Sequence, residues 1–125
     1  MPYLLEIDHS AKFIRNTYNG VITKEDLRQV WTQMLGLKEF TLLQYNLLSD
    51  YRNSNFNIDK TENNKMIEFL LSIKDILNKK KEAAILNNPK DTALSMMLQF
   101  EVYKRIGYSV QLFSTEDAAI KWLNK

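Results

Sequence analysis

The chain has 125 residues, a net charge of +2, 45% hydrophobic and 26% charged residues, three glycines, two prolines and no cysteine. This composition fits one folded core and excludes disulfide scaffolds, thiolate metal sites and long disordered segments. The small net charge leaves no electrostatic footprint for nucleic acid, and no apolar run approaches the roughly 20 residues that span a bilayer.

Residues 3–8 and 12–18 partly alternate apolar and polar side chains and flank the hairpin-length connection His9-Ser10-Ala11, so they predict paired strands. Gly20 breaks that pattern. Thr23 with Asp26 resembles a capping box, opening a helix whose Leu27, Val30, Trp31, Met34 and Leu35 share a face and which Gly36 stops. Residues 42–48 have the length of a buried strand, and residues 49–58 read as the loop that follows it. Asp59 with Glu62 supplies the next cap, and apolar spacing from Met66 to Leu77 predicts one long helix. The Lys79-Lys80-Lys81 run then reads as the solvated end of that helix, where cations offset the partial negative charge.

Residues 83–86 form a short apolar strand. Asn88-Pro89-Lys90-Asp91 is a compact helix start, with Ala93, Met96, Met97, Phe100 and Tyr103 as the expected buried stripe and Gly107 as the stop. Residues 108–113 alternate as a strand should, and Ser114 to Asp117 opens a last helix carrying Ala118, Ala119, Trp122 and Leu123. The order ββαβαβαβα over residues 1–125 predicts one α/β domain with a mixed, mostly parallel sheet and an antiparallel N-terminal hairpin.

The three glycines stand alone at element ends, so no glycine-rich phosphate loop exists. The sole histidine, His9, falls in a turn without an orienting partner, which gives neither a triad nor a zinc site. Binding in open α/β sheets concentrates at the loops beyond the carboxyl ends of the strands. The candidates there are Asp50, Arg52, Ser54 and Asn88, read either as an anion-receiving recognition surface or as an Asp50–Arg52 turn pair beside ordinary caps. Met96, Met97 and Phe100 are candidates for an apolar pocket, with plain core as the other reading.

The opening "YLLEIDHSAKFIRNTYNGVITKEDL", the strand end "LLSDYR", the strand "AAILNN" and the ending "YSVQLFSTEDAAIKWL" resemble the SpoIIAA-like branch of the STAS domains (sulfate transporter and anti-sigma-factor antagonist), also described as STAS/SEC14-like. The resemblance covers essentially the whole chain. It implies helices gathered mainly on one side of a mixed sheet, and action by binding rather than catalysis. In anti-sigma-factor antagonists a hydroxyl following an Asp is phosphorylated, which adds charge at a docking surface. The matching region reads Asp50-Tyr51-Arg52-Asn53-Ser54 in place of the family's Asp-Ser-[Ser/Thr]-Gly, leaving Ser54 as the candidate phosphoacceptor.

The expected function is therefore a non-enzymatic STAS-like regulatory module that binds a protein partner, with a small-molecule or lipid carrier as the alternative and a hydrolase using Asp50 and Arg52 ranked third. No metal or cofactor is expected. A homodimer is compatible with such a domain. The start of the chain lacks the basic and apolar blocks of a signal peptide, so a cytoplasmic location is expected.

Overall fold

The computed structural model describes residues 2–125, and its elements run β1 (Tyr3–Asp8), β2 (Phe13–Thr23), α1 (Lys24–Leu35), α2 (Lys38–Thr41), β3 (Asn46–Asn57), α3 (Lys60–Ser72), α4 (Lys74–Leu77), β4 (Lys81–Ile85), α5 (Pro89–Ile106), β5 (Ser109–Phe113) and α6 (Glu116–Leu123). The strands lie side by side in chain order. β1 pairs with β2 antiparallel, and every later pair is parallel. This is the mixed sheet with an antiparallel N-terminal hairpin that the sequence predicts.

Parallel crossovers of one hand that advance one strand at a time lay their helices on the same face. Val30, Trp31 and Met34 of α1, Phe40 of α2, Leu70 of α3 and Val102 and Ile106 of α5 accordingly join one core with Ile14, Tyr18, Leu47 and Val110 of the sheet. α6, which follows β5, covers the other face, packing Ala119 and Leu123 on Phe13, Leu48, Ala83 and Ile85.

The helix starts follow the local rules. Thr23 and Asp26 form a reciprocal box, as do Asp59 and Glu62, and the Asn88 side chain accepts from Lys90 and Asp91 backbone N–H groups ahead of Pro89. The last helix is capped by Thr115, one residue later than the expected Ser114.

Four expectations are corrected. Gly20 does not end β2, which continues to Thr23; it pairs with Ser54 of β3 at a φ of +78°, a conformation glycine adopts without strain. The expected strand over 42–48 begins only at Asn46, because α2 occupies residues 38–41, Leu42 and Leu43 lie exposed, and Gln44 turns with φ +60°. The expected loop over 49–58 is almost all strand, since β3 runs to Asn57 paired with β2 on both sides of the irregularity at Tyr51 and Arg52. The long helix is divided at Ile73, whose backbone leaves the helical region.

The lysine run is also not uniformly solvated. Lys80 is 2% exposed, its Nζ donates to the Phe40 and Tyr45 carbonyls at 2.8 and 3.1 Å, and the ammonium sits 4.4 Å from the Phe40 ring centroid. It ties the α2 turn to the start of β4. Burial lowers its pKa from 10.5 to about 8. In that window the unfolded chain holds the extra proton, so stability rises with pH between the two values as the buried charge is relieved. Urea midpoints measured between those values should climb relative to Lys80→Met, and Lys80→Ala should lose about 2–4 kcal/mol by orphaning two carbonyls.

Candidate functional site

β3 alternates its side chains between the two layers, and two polar clusters result. On the α6 face, Asp50 accepts from Arg52 Nη2 at 2.7 Å, Nε at 2.9 Å and the Arg52 backbone N–H at 3.1 Å. Arg15 bonds Glu116 of α6 at 2.6 Å, and Arg52 lies 4.0 Å from the same carboxylate. Hydrogen bonds from Arg52 hold the Asp50 carboxyl below its ordinary range, and the same contact raises Arg52. Asp50 and Arg52 thus spend their chemistry on each other.

Ser54 is 4% exposed and its hydroxyl donates to the Tyr51 carbonyl at 2.9 Å. A kinase would have to open the β2–β3 ribbon to reach it. Asn88 bonds Asn55 of β3 through Nδ2 at 2.7 Å, and the buried Asp91 accepts from the Phe56 N–H at 3.1 Å. Burial raises Asp91, and its Oδ1 has no protein partner.

Met96, Met97 and Phe100 lie on the outer face of α5, Phe100 being 64% exposed, and Tyr103 joins them. None of them lines the cavity beneath α5. The helix buries Asp91, Val102 and Ile106, with Leu94 and Leu98 on the same side. α5 carries apolar residues all round, so spacing alone does not choose its inner face.

On the helix-rich face, a cavity of about 80 Å³ lies between the sheet and α1, α3 and α5. Leu27, Trp31, Met66, Leu70, Leu94 and Leu98 form its apolar side. Its sheet side is different: Asn16 and Tyr18 come from β2, Tyr51 from β3, Glu82 and Ala84 from β4, and Tyr108 from the approach to β5. Glu82 is buried, taking the Tyr108 hydroxyl on Oε1 at 2.6 Å and the Ser49 hydroxyl on Oε2 at 2.7 Å. Burial raises its pKa against the pull of both hydroxyls. Tyr18 and Tyr51 stack with centroids 4.5 Å apart, Phe56 meets Tyr51 edge-on, and burial raises all three cavity tyrosines, so their hydroxyls stay protonated. Asn16 is 1% exposed, and its Oδ1 has no protein partner.

Sequence reasoning did not single out Glu82, Asn16 or the tyrosines. The available signal was Glu82 two residues before Ala84 at the head of the apolar stretch Ala83-Ala84-Ile85, a position that period-two alternation places on the same face as Ala84.

The chain is similar to a crystal structure of an uncharacterized protein from the DUF3478 family with a SpoIIAA-like fold, from Shewanella loihica PV-4, with a TM-score of 0.62, 14% identity, and coverage of 97% of this chain and 91% of that one. That likeness establishes a SpoIIAA-like fold here. No family model and no curated protein matches the chain. Among the described residues, no group of three or more His, Cys, Asp or Glu is placed to hold a metal, and no helix is long and apolar enough to cross a membrane.

Two outcomes follow. Folded Glu82 keeps its proton to higher pH than the unfolded chain, so its contribution is full below about 4.5 and declines as pH rises through the folded value. Unfolding titrations should show that decline in the wild type and its loss in Glu82→Gln. At Ser54, alanine should cost about 1 kcal/mol and glutamate about 3 kcal/mol or more in urea unfolding, because the latter buries a charge.

Proposed function

We propose that the protein is a binding module for a small, largely apolar molecule with one polar end, held between the sheet and α1, α3 and α5, and that it acts without catalysing a reaction. The observation that carries this reading is the cavity itself: apolar walls converge on a few fixed polar groups at the sheet, the usual composition of a ligand pocket. The unpartnered Asn16 oxygen supports it, since a buried acceptor without a donor awaits one. His9, the only histidine, pairs its Nδ1 with the Tyr45 hydroxyl at 3.2 Å and does not line the cavity.

A second reading, a regulatory module that docks a protein partner as anti-sigma-factor antagonists do, draws support from the SpoIIAA-like fold and from the exposed Met96, Met97, Phe100 and Tyr103. The burial of Ser54 favours the ligand reading over a phospho-switch.

Ala84 lies under the cavity on β4 and is buried. Ala84→Leu should fill the space while the chain still unfolds cooperatively. With methyl-labelled methionine, alcohol and amine fragments of about four carbons should shift Met34 and Met66 saturably in the wild type, leave Met96 and Met97 unmoved, and lose their effect in Ala84→Leu. Saturable shifts in neither protein would overturn the reading.

A further inference from the structure

We infer that the polar end of the ligand is a single organic cation, a primary or methylated ammonium, received by Glu82 among the rings of Tyr18, Tyr51 and Tyr108; the inference rests on the cavity reading above. Among the polar groups that the sheet presents there, Glu82 is the one carboxylate and none is cationic, while the tyrosine hydroxyls and the Asn16 amide can each donate as well as accept. Among the described residues no Lys, Arg or His stands within 4.0 Å of the Glu82 carboxylate, and its two partners are neutral hydroxyls. A carboxylate has about four acceptor sites, so two remain for a donor arriving from the cavity. Asn16 Oδ1 is a further open acceptor in the same lining.

The aromatic content points the same way. The stacked Tyr18–Tyr51 pair, with Phe56 edge-on to Tyr51 and Trp31 across the cavity, surrounds the space with ring surfaces whose faces carry negative potential. An ammonium gains from both the carboxylate and the rings, and methylation leaves the ring attraction in place. A carboxylate head group would be repelled. An alcohol could donate one hydrogen bond, yet would leave the buried charge of an ionised Glu82 without a counter-ion.

The outer end of the site limits how many charges the ligand carries. A groove of about 240 Å³ between α1 and α3 shares Lys24, Trp31, Glu62 and Met66 with the cavity and continues over Phe69. Its charged lining is Lys24, Arg28 and Lys65 against Glu62 alone. An apolar stem can follow Trp31, Met66 and Phe69 outward, but a second ammonium at its far end would meet a rim that stays net positive, with Lys24 3.8 Å from Glu62, Arg28 paired to Glu25 at 3.3 Å and Lys65 beside them. The site therefore selects a monoamine over a diamine.

The test is a head-group series on the full chain by methyl NMR: n-butylammonium, tetramethylammonium, n-butanol, butyrate and 1,4-diaminobutane at neutral pH. We expect butylammonium to bind about 10-fold or more tighter than butanol and than the diamine, butyrate not to bind, and the ratio of butylammonium to butanol affinity to fall to about one in Glu82→Gln. Equal binding of butanol and butylammonium, or tighter binding of butyrate, overturns the cation assignment and leaves the cavity reading standing. Binding of no probe overturns both. An ammonium preference that survives in Glu82→Gln overturns the role of that carboxylate; should this variant fail to fold, the wild-type series decides alone.

Discussion

Over residues 47–50 strand β3 has a partner on each side and a helical layer above and below, so its period-two alternation distributes the chemistry of the molecule. Leu47, Ser49 and Tyr51 face α1, α3 and α5, whereas Leu48, Asp50 and Arg52 face α6. A slip of one residue would exchange the two sets, placing a guanidinium in the core and aromatic rings in solvent. The register is fixed at the entry to the strand, where Asn46 accepts from the Lys81 N–H at 2.9 Å while Lys80 binds the carbonyls of Phe40 and Tyr45. The buried lysine thereby sets the alignment of β3 with β4, and that alignment brings Ser49 within 2.7 Å of Glu82.

The two polar clusters differ in electrostatics as well as in place. Asp50, Arg52, Arg15 and Glu116 pair opposite charges at a half-exposed surface, an arrangement that contributes little to stability. Glu82 has no such compensation. Two neutral hydroxyls offset part of its desolvation, and the upward shift of its pKa shows that burial still prevails. A carboxylate so placed is costly for folding alone, and groups perturbed by burial within a cavity are where binding chemistry concentrates.

Much of the architecture was legible in the sequence because local rules and the global fold agree there: the caps at Thr23, Asp59 and Asn88, the order of the elements and the antiparallel hairpin. Legibility failed where a pattern supports two structures. The mainly apolar segment ending in Leu47-Leu48 reads as one strand, but the turn that follows α2, with Gln44 left-handed, takes up its first half. Asn, Ser and Arg in residues 49–57 resemble a loop, and only pairing with β2 makes them a strand. α5 is apolar on both sides, so its inner face is chosen by β5 and α3 rather than by its own spacing. The asparagine and carboxylate of the candidate site carried no local motif, because what unites them is a shared sheet face across three strands.

The length of β3 also explains why the cavity lies over the face of the sheet rather than beyond its edge. β4 ends at Ile85, opposite Asp50, while β3 continues seven residues further with β2 as its only partner. This overhanging ribbon occupies the region beyond the strand ends where open α/β sheets usually receive ligands. The start of α5 is fastened to it, by Asn88 to Asn55 and by Asp91 to the Phe56 N–H, so the crevice at the β4–α5 turn is closed by protein. α5 then leaves the sheet from a point fixed by the ribbon, and the gap beneath Leu94 and Leu98 is not filled by Ala84, the smallest side chain of the sheet lining. The space available to a ligand is therefore set by two features at once: a ribbon long enough to anchor the helix, and an alanine too small to meet it.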